Sequence, residues 1–148
     1  MTTTVTLEIA KLLKAKGYDI PSCRLYYKFE DDKPTDDFML RSNINIGEGY
    51  STYSGVIDKD NQLRYYAPDI AEVVMWLYEK RDVWISLIPD TYSGQRLLTR
   101  TFTAHLFTYR NGLNVQAETL KKGKDILYFN SPTEAYLSAI THALNNLL

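Results

Sequence analysis

The chain has 148 residues, the length of one ordinary domain, and carries 17 lysines and arginines against 18 aspartates and glutamates, a formal net charge of −1. This balance excludes an overall electrostatic attraction to nucleic acid or to an anionic membrane, so either partner would need a local basic patch. The single cysteine, Cys23, excludes an internal disulfide and a zinc site built from four cysteines.

The first predicted element is a helix over 7–16, with Thr6 as its N-cap and Gly17 ending it. Its apolar spacing is interrupted by charged residues at Glu8, Lys11 and Lys14. This interruption favours a helix of a soluble protein over a secretory signal. Because no stretch approaches the roughly 20 apolar residues of a membrane span, we expect a cytoplasmic protein that contacts no membrane.

Residues 23–29, CRLYYKF, alternate between apolar and polar side chains, which predicts a half-buried strand. The acidic run EDDKPTDD that follows is predicted to be an exposed loop. Glycines interrupt the pattern in 38–66, where DKDNQ at 58–62 indicates a turn between the two strands of a hairpin.

A second helix is predicted over 68–80, because Pro68 suits the first helical position and apolar residues recur behind it at helical spacing. The next segment, DVWISLIP, has the alternation of a strand with apolar residues on both faces. We expect Trp76 on the helix and Trp84 on the strand to pack between that helix and the sheet.

The remainder of the chain predicts a hairpin, a short strand and a helix. Asn111 and Gly112 stand between two alternating runs, and both tolerate the positive φ of a type I′ turn. A short strand is predicted over 126–129, ILYF. The final helix opens with Ser131 as N-cap and Glu134 three positions later, the pattern of a capping box.

This order predicts an α+β fold. We expect a single domain over 1–148, with 67–148 as its most regular part. Its antiparallel sheet would have about four to six strands, with about three helices packed mainly on one face, a two-layer sandwich.

The residue types that support catalysis are few. His105 and His142 are both interpreted as histidines of a strand face or a helix surface, and Cys23 as a packing residue. We therefore assign no catalytic, cofactor-binding or metal-binding residue, and the acidic run over 30–37 is interpreted as a solvated loop. One enzyme hypothesis stays open, in which His105 acts with a carboxylate or tyrosine across the sheet.

Twelve tyrosines are present, and exposed tyrosine is favoured at recognition surfaces because it gives contact area with little loss of entropy. The alternative is that tyrosine simply suits strands. The residues predicted for a recognition surface are Tyr26, Tyr65, Tyr66, Tyr92 and Tyr109.

Three segments together carry a resemblance to a known group of proteins: TLEIAKLLKAKGYDIPSCRLYYK, YYAPDIAEVVMWLYEKRDVWISLIPD and FNSPTEAYLSAITHALNNL. In these segments the chain resembles a family of short uncharacterised proteins of Bacteroidetes phages, prophages and neighbouring chromosomes. The resemblance implies a mobile-element setting in a bacterial host cell, and it implies no chemistry. With the tyrosine excess, it favours a small non-catalytic accessory protein that binds a protein partner.

An alternative is a module resembling double-stranded-RNA-binding domains, because helix, three strands and helix over 68–148 is the order of that fold. Its cationic contacts would come from Lys121, Lys122 and Lys124, with further contacts from Arg96, Arg100 or Arg110. Such modules carry lysines at the start of the last helix, whereas this chain has SPTEA there, with Glu134 in place of a cation.

Overall fold

The computed structural model describes residues 3–29, 39–42, 62–90 and 101–148. The helices and strands are, in chain order, α1 (Leu7–Ala15), β1 (Arg24–Phe29), β2 (Met39–Ser42), β3 (Gln62–Tyr66), α2 (Ile70–Arg81), β4 (Val83–Asp90), β5 (Thr101–Arg110), β6 (Leu113–Thr119), β7 (Lys121–Lys122), β8 (Asp125–Ile126) and α3 (Pro132–Asn146). The predicted α+β class is confirmed, with helices packed on antiparallel strands. These strands are distributed over three sheets, ordered β2-β1-β3, β4-β5-β6 and β7-β8.

The chain divides into two compact units, Met1–Asp69 and Ile70–Leu148. The single domain predicted over 1–148 stays a prediction. Residues 58–61 of the predicted turn and the strand predicted before it lie outside the described residues, whereas Gln62 begins β3.

Helix α1 begins and ends as predicted. The Thr6 hydroxyl accepts a hydrogen bond from the Ile9 amide at 3.4 Å, which satisfies one amide of the first turn. Gly17 follows the helix with φ of 86°, and the Tyr18 amide then donates to the Leu13 carbonyl at 2.9 Å. This is the Schellman arrangement, in which glycine supplies the left-handed residue and the chain folds back on the last turn.

In the first unit, β1 is the central strand, and α1 contacts β3. Leu25 of β1 is buried, as are Ile9 and Leu13 of α1. Cys23, predicted to pack in the core or at a strand edge, is instead exposed immediately before β1. Cys23 precedes the first residue of β1, so the alternation of inward and outward side chains along the strand did not determine its burial.

The segment that was predicted to start the second helix closes the first unit instead. The Val5 amide donates to the Pro68 carbonyl at 3.0 Å, and the buried Ser22 hydroxyl donates to the Ala67 carbonyl at 3.1 Å. Pro68 is buried by this closure, and α2 begins two residues later, at Ile70. The predicted start at Pro68 was wrong because the long-range pairing fixes 67–69 in a non-helical conformation.

In the second unit, α2 and α3 both contact β4, α3 also contacts β5, and the two helices contact each other. The inward positions of the strands alternate with outward ones, as β-structure requires. The buried residues between the helices and the sheet include Val73, Trp76, Leu77, Val83, Ile85, Ala104, Leu106, Ile140 and Leu144.

The β5–β6 hairpin turns through Asn111 and Gly112, whose φ angles of 53° and 76° confirm the predicted pair of positive-φ residues. Its register shifts between Thr108, which pairs with Gln116, and Tyr109, which pairs with Asn114. Val115 is therefore the extra residue of a β-bulge on β6, and 54 % of its surface is exposed.

After β6 the chain forms the two-stranded β7–β8 hairpin, in which Lys122 pairs with Asp125. The strand predicted over 126–129 is shorter than expected, because only Ile126 belongs to β8, and Phe129 pairs separately with Phe102. Helix α3 has the predicted cap, since the Glu134 amide donates to the Ser131 hydroxyl at 3.2 Å.

Candidate binding groove

One face of α2 is not covered by the second unit's core. Helical spacing of i, i+3 and i+4 brings Met75, Tyr78 and Glu79 onto this face, and Asp82 follows one turn later. Met75 is 45 % exposed and Tyr78 48 % exposed. The opposite face carries the buried residues Val73 and Leu77, so the helix is apolar on two sides.

The exposed face forms one wall of a groove of about 700 Å³. Across from it lie Trp84 of β4, Tyr109 of β5 and Gly112 of the β5–β6 turn. The rings of Tyr78 and Trp84 meet edge to face, with centroids 5.3 Å apart and planes at 75°. This is a favoured aromatic geometry, and it links the helix wall to the sheet wall.

A tight connection between α2 and β4 fixes the end of the groove. Asp82 is the connecting residue and has φ of 55°, a left-handed conformation that aspartate tolerates better than most side chains. Its carbonyl accepts a hydrogen bond from the Tyr109 amide at 2.9 Å. The backbone thus holds two lining residues, one from each wall, in a fixed relation.

The two tryptophans differ in their surroundings. Trp76 is buried, as predicted, and the guanidinium of Arg81 lies 5.2 Å from the centre of its ring. Trp84 is half-buried, and it pairs across the sheet with Phe107 on the face opposite to the buried Val83 and Ile85. It packs against α2 through Tyr78, but it is also a wall of the groove rather than a core residue.

The tyrosines predicted for recognition divide between the units. Tyr26 and Tyr65 are cross-strand neighbours in the first unit, and the Tyr26 hydroxyl donates to the Val5 carbonyl at 2.9 Å. Burial, followed by the charge of Glu8, raises the pKa of Tyr26 above its ordinary value. Tyr109 lies in the second unit and lines the groove, whereas Tyr92 lies outside the described residues.

Tyr65 and Tyr66 line a smaller pocket of about 160 Å³ beside α1. The Lys14 ammonium lies 5.1 Å from the centre of the Tyr65 ring, within the range of a cation–π contact. Both tyrosines are half-buried.

His105 lies on the outward face of β5, and both of its ring nitrogens are hydrogen-bonded. Nε2 lies 3.0 Å from the Thr103 hydroxyl, and Nδ1 lies 3.1 Å from the Thr119 hydroxyl. Its cross-strand neighbours are Ser86 and Thr119, whereas the enzyme hypothesis needed a carboxylate or a tyrosine there. The two hydroxyls fix the orientation of the ring.

His142 joins α3 to β6. Its Nε2 lies 2.9 Å from a carboxylate oxygen of Glu118, and its Nδ1 lies 3.3 Å from the side-chain nitrogen of Asn146. An amide nitrogen can only donate, so these two contacts fit the tautomer in which Nδ1 accepts from Asn146 and the Nε2–H donates a hydrogen bond to Glu118. The arrangement is a structural link between elements.

The candidate nucleic-acid contacts Lys121, Lys122 and Lys124 are all exposed on the β7–β8 hairpin. Arg110 is exposed at the end of β5, while Arg96, Arg100 and the acidic run over 30–37 lie outside the described residues. Within the described part of the chain, no group of three or more His, Cys, Asp or Glu side chains could hold a metal ion. No helix there is long and apolar enough to cross a membrane.

Sequence reasoning did not identify Met75 and Tyr78 as groove residues. Their signal was nevertheless present, because two large apolar side chains three positions apart fall on the side of α2 that faces away from Val73 and Leu77. The helical spacing of apolar residues predicts an amphipathic helix, but only packing distinguishes the covered side of α2 from the open one.

No protein-family model, curated protein or solved structure matches this chain.

Proposed function

We propose that this chain is a small non-catalytic protein that binds another protein, and that the groove on α2 is the surface it uses. The observation that carries the proposal is the exposure of Met75 and Tyr78 in a groove completed by Trp84 and Tyr109. Contiguous apolar side chains left in water mark interaction sites, and aromatic residues are the most frequent energetic anchors of interfaces.

The groove is also partly ordered before any partner arrives. Tyr78 rests against Trp84, and the hydrogen bond from Tyr109 to Asp82 holds the groove's end. Side chains that are already ordered lose less entropy on binding, so more of the contact energy appears as affinity. In the mobile-element setting that the resemblance implies, the partner would be a protein of the bacterial host or of the element itself.

The test is a pull-down with the tagged full chain from a nuclease-treated Bacteroidetes lysate. Loss of an aromatic anchor typically costs an interface 2 kcal/mol or more, so Tyr78→Ser should retain the partner at least about tenfold less well. Tyr128→Ser is the matched control, because Tyr128 is 53 % exposed in the same unit and does not line the groove. The proposal fails if no specific protein is retained, or if the two variants behave alike while both remain folded by circular dichroism.

A second candidate function is nucleic-acid binding through the β7–β8 hairpin. This hairpin presents Lys121, Lys122 and Lys124 to solvent around Gly123, shortly before α3 begins. The second unit runs from a helix through the three-stranded β4-β5-β6 sheet and the short β7–β8 hairpin to a final helix, so the hairpin is an addition to the order of helix, three strands and helix. Asp125 opposes Lys122 across the hairpin and offsets part of its charge, so the local positive field is modest.

A mobility shift with a 20-base-pair RNA duplex at low salt tests this candidate. If the hairpin grips phosphates, Lys121→Glu should weaken binding and reduce the salt slope by about one unit. Lys80→Glu makes the same change of charge on the exposed surface of α2 and should leave binding unchanged. Absence of a shift, or equal effects of the two changes, would exclude the hairpin as an RNA contact.

A further inference from the structure

We infer that the groove on α2 receives a basic side chain, arginine or lysine, of a protein partner; this inference rests on the proposed function and specifies the partner's chemistry. Among the described residues that line the groove, the charged ones are Glu79 and Asp82, both carboxylates and both exposed. They share the groove with the rings of Tyr78, Trp84 and Tyr109. Carboxylates beside aromatic faces are the combination that attracts an organic cation.

Both carboxylates lie at the C-terminal end of α2. The C-terminal end of a helix carries a partial negative charge from its unpaired carbonyls, so it normally favours cations and disfavours acidic residues. Lys80 and Arg81 meet that preference in the last turn of α2, but they fall outside the helical face of Met75, Tyr78, Glu79 and Asp82. The groove side of the helix end therefore combines two carboxylates with the negative end of the helix.

The cations of α2 do not occupy the groove wall. The Arg81 guanidinium is placed over Trp76, which is not among the groove's lining residues. Asparagine or glycine would adopt the left-handed conformation of Asp82 equally well, so the turn does not require a carboxylate at this position. The charge of Asp82 is thus available for a ligand, and the groove's volume suits a side chain with its flanking backbone.

The experiment is a titration of the isotope-labelled full chain, following the assigned indole N–H signal of Trp84 by NMR. The probes are the blocked amino acids N-acetyl-arginine amide and N-acetyl-lysine amide, with N-acetyl-citrulline amide as the neutral analogue of arginine and N-acetyl-leucine amide as the apolar one. We expect saturable shifts with the two cations and at least about threefold weaker binding of citrulline, since it lacks both the cation–π and the ion-pair contribution.

Two substitutions and a control assign the effect to the groove's carboxylates. Glu79→Gln and Asp82→Asn should each reduce the affinity for the arginine probe towards that of citrulline, and Asp82→Asn retains a residue that tolerates positive φ. Glu134→Gln removes a carboxylate in the first turn of α3 and should leave the titration unchanged.

The outcomes separate this inference from the proposed function. Equal binding of the arginine and citrulline probes, or binding of the leucine probe alone, overturns the inference that the groove receives a basic side chain. Either result leaves the proposed protein-binding groove in place. If none of the probes shifts the Trp84 indole signal, the inference of a basic side chain is also overturned. Retention of a partner that depends on Tyr78 would still support protein binding. Loss of that dependence overturns the proposed function itself.

Discussion

Tyr26, one of the tyrosines predicted for a recognition surface, also stabilises the fold. Its hydroxyl donates to the Val5 carbonyl, and this bond ties β1 to the segment that precedes α1. The burial that accompanies the bond raises the pKa of the phenol, with a smaller contribution from Glu8. The hydrogen bond of the Tyr26 hydroxyl therefore contributes to stability only while the phenol is protonated.

The contribution of the Tyr26 hydroxyl should be visible in the pH dependence of the free energy of unfolding. Because the folded state binds the phenolic proton more tightly than the unfolded state, the contribution of Tyr26 is complete below its ordinary pKa of 10.0 and is lost as the pH rises through the folded value. Tyr26→Phe should lower the free energy of unfolding by about 0.5–1.5 kcal/mol at pH 7, the net value of one hydrogen bond. Urea unfolding of both proteins should show this difference shrinking above pH 10, and a difference that stays constant would contradict the assignment.

At the scale of elements, α3 is packed through alanine. Ala135, Ala139 and Ala143 are fully buried, at spacings of four residues, beside Ile140 and Leu144. Small side chains at these positions let the helix backbone approach its neighbours closely. The row of alanines thus determines how near α3 lies to the strands it covers.

Enlarging one of these alanines should be costly. Ala139→Leu adds volume where no surface is exposed, and overpacking of this kind typically costs about 1–3 kcal/mol. Asn145→Leu places the same side chain on the exposed face of the helix and should change stability by less than about 0.5 kcal/mol. Urea unfolding followed by circular dichroism compares the two, and similar stabilities would contradict the packing described here.

Both ends of α1 and the start of α3 were predictable, whereas the start of α2 and the covered helix faces were not. Thr6, Gly17 and Ser131 act through hydrogen bonds and backbone angles within a few residues, so the local sequence determines them. Which face of α2 or α3 is covered depends on elements that are distant in sequence. Leu137 and Leu147 are only half-buried although both are large and apolar, because the alanine row of α3 carries the closest contact instead.

At the scale of the whole molecule, one sheet was predicted, whereas the strands in the described part of the chain form three. Strands β1, β4, β5 and β6 have the residue alternation that predicts them, whereas β2 and β7 are not predicted from the sequence. The partner of a strand is chosen by long-range packing. β1 pairs with β2 and β3, and the β7–β8 hairpin pairs only with itself among the described residues. The same limit applies to the groove, since Trp84 and Tyr109 become neighbours of Tyr78 only after folding.

The one-domain prediction has a direct thermodynamic test. Leu13 in the first unit and Leu144 in the second are both buried, and Leu→Ala at such sites costs about 2–5 kcal/mol. If the chain unfolds as one cooperative domain, either substitution should lower the protection of slowly exchanging amides in both units. Hydrogen exchange that changes only in the unit carrying the substitution would show that the units unfold separately.

The bulge at Val115 has a consequence for how the protein behaves at high concentration. β6 pairs only with β5 among the described strands, residues 111–117 carry no charge, and Leu113 is 70 % exposed. A straight strand with these properties would be a template for ordered aggregation, because another chain could continue its ladder of hydrogen bonds. The extra residue interrupts that ladder, so deletion of Val115 should make this edge amyloid-prone, and thioflavin T fluorescence should then rise in concentrated samples of the deletion variant alone.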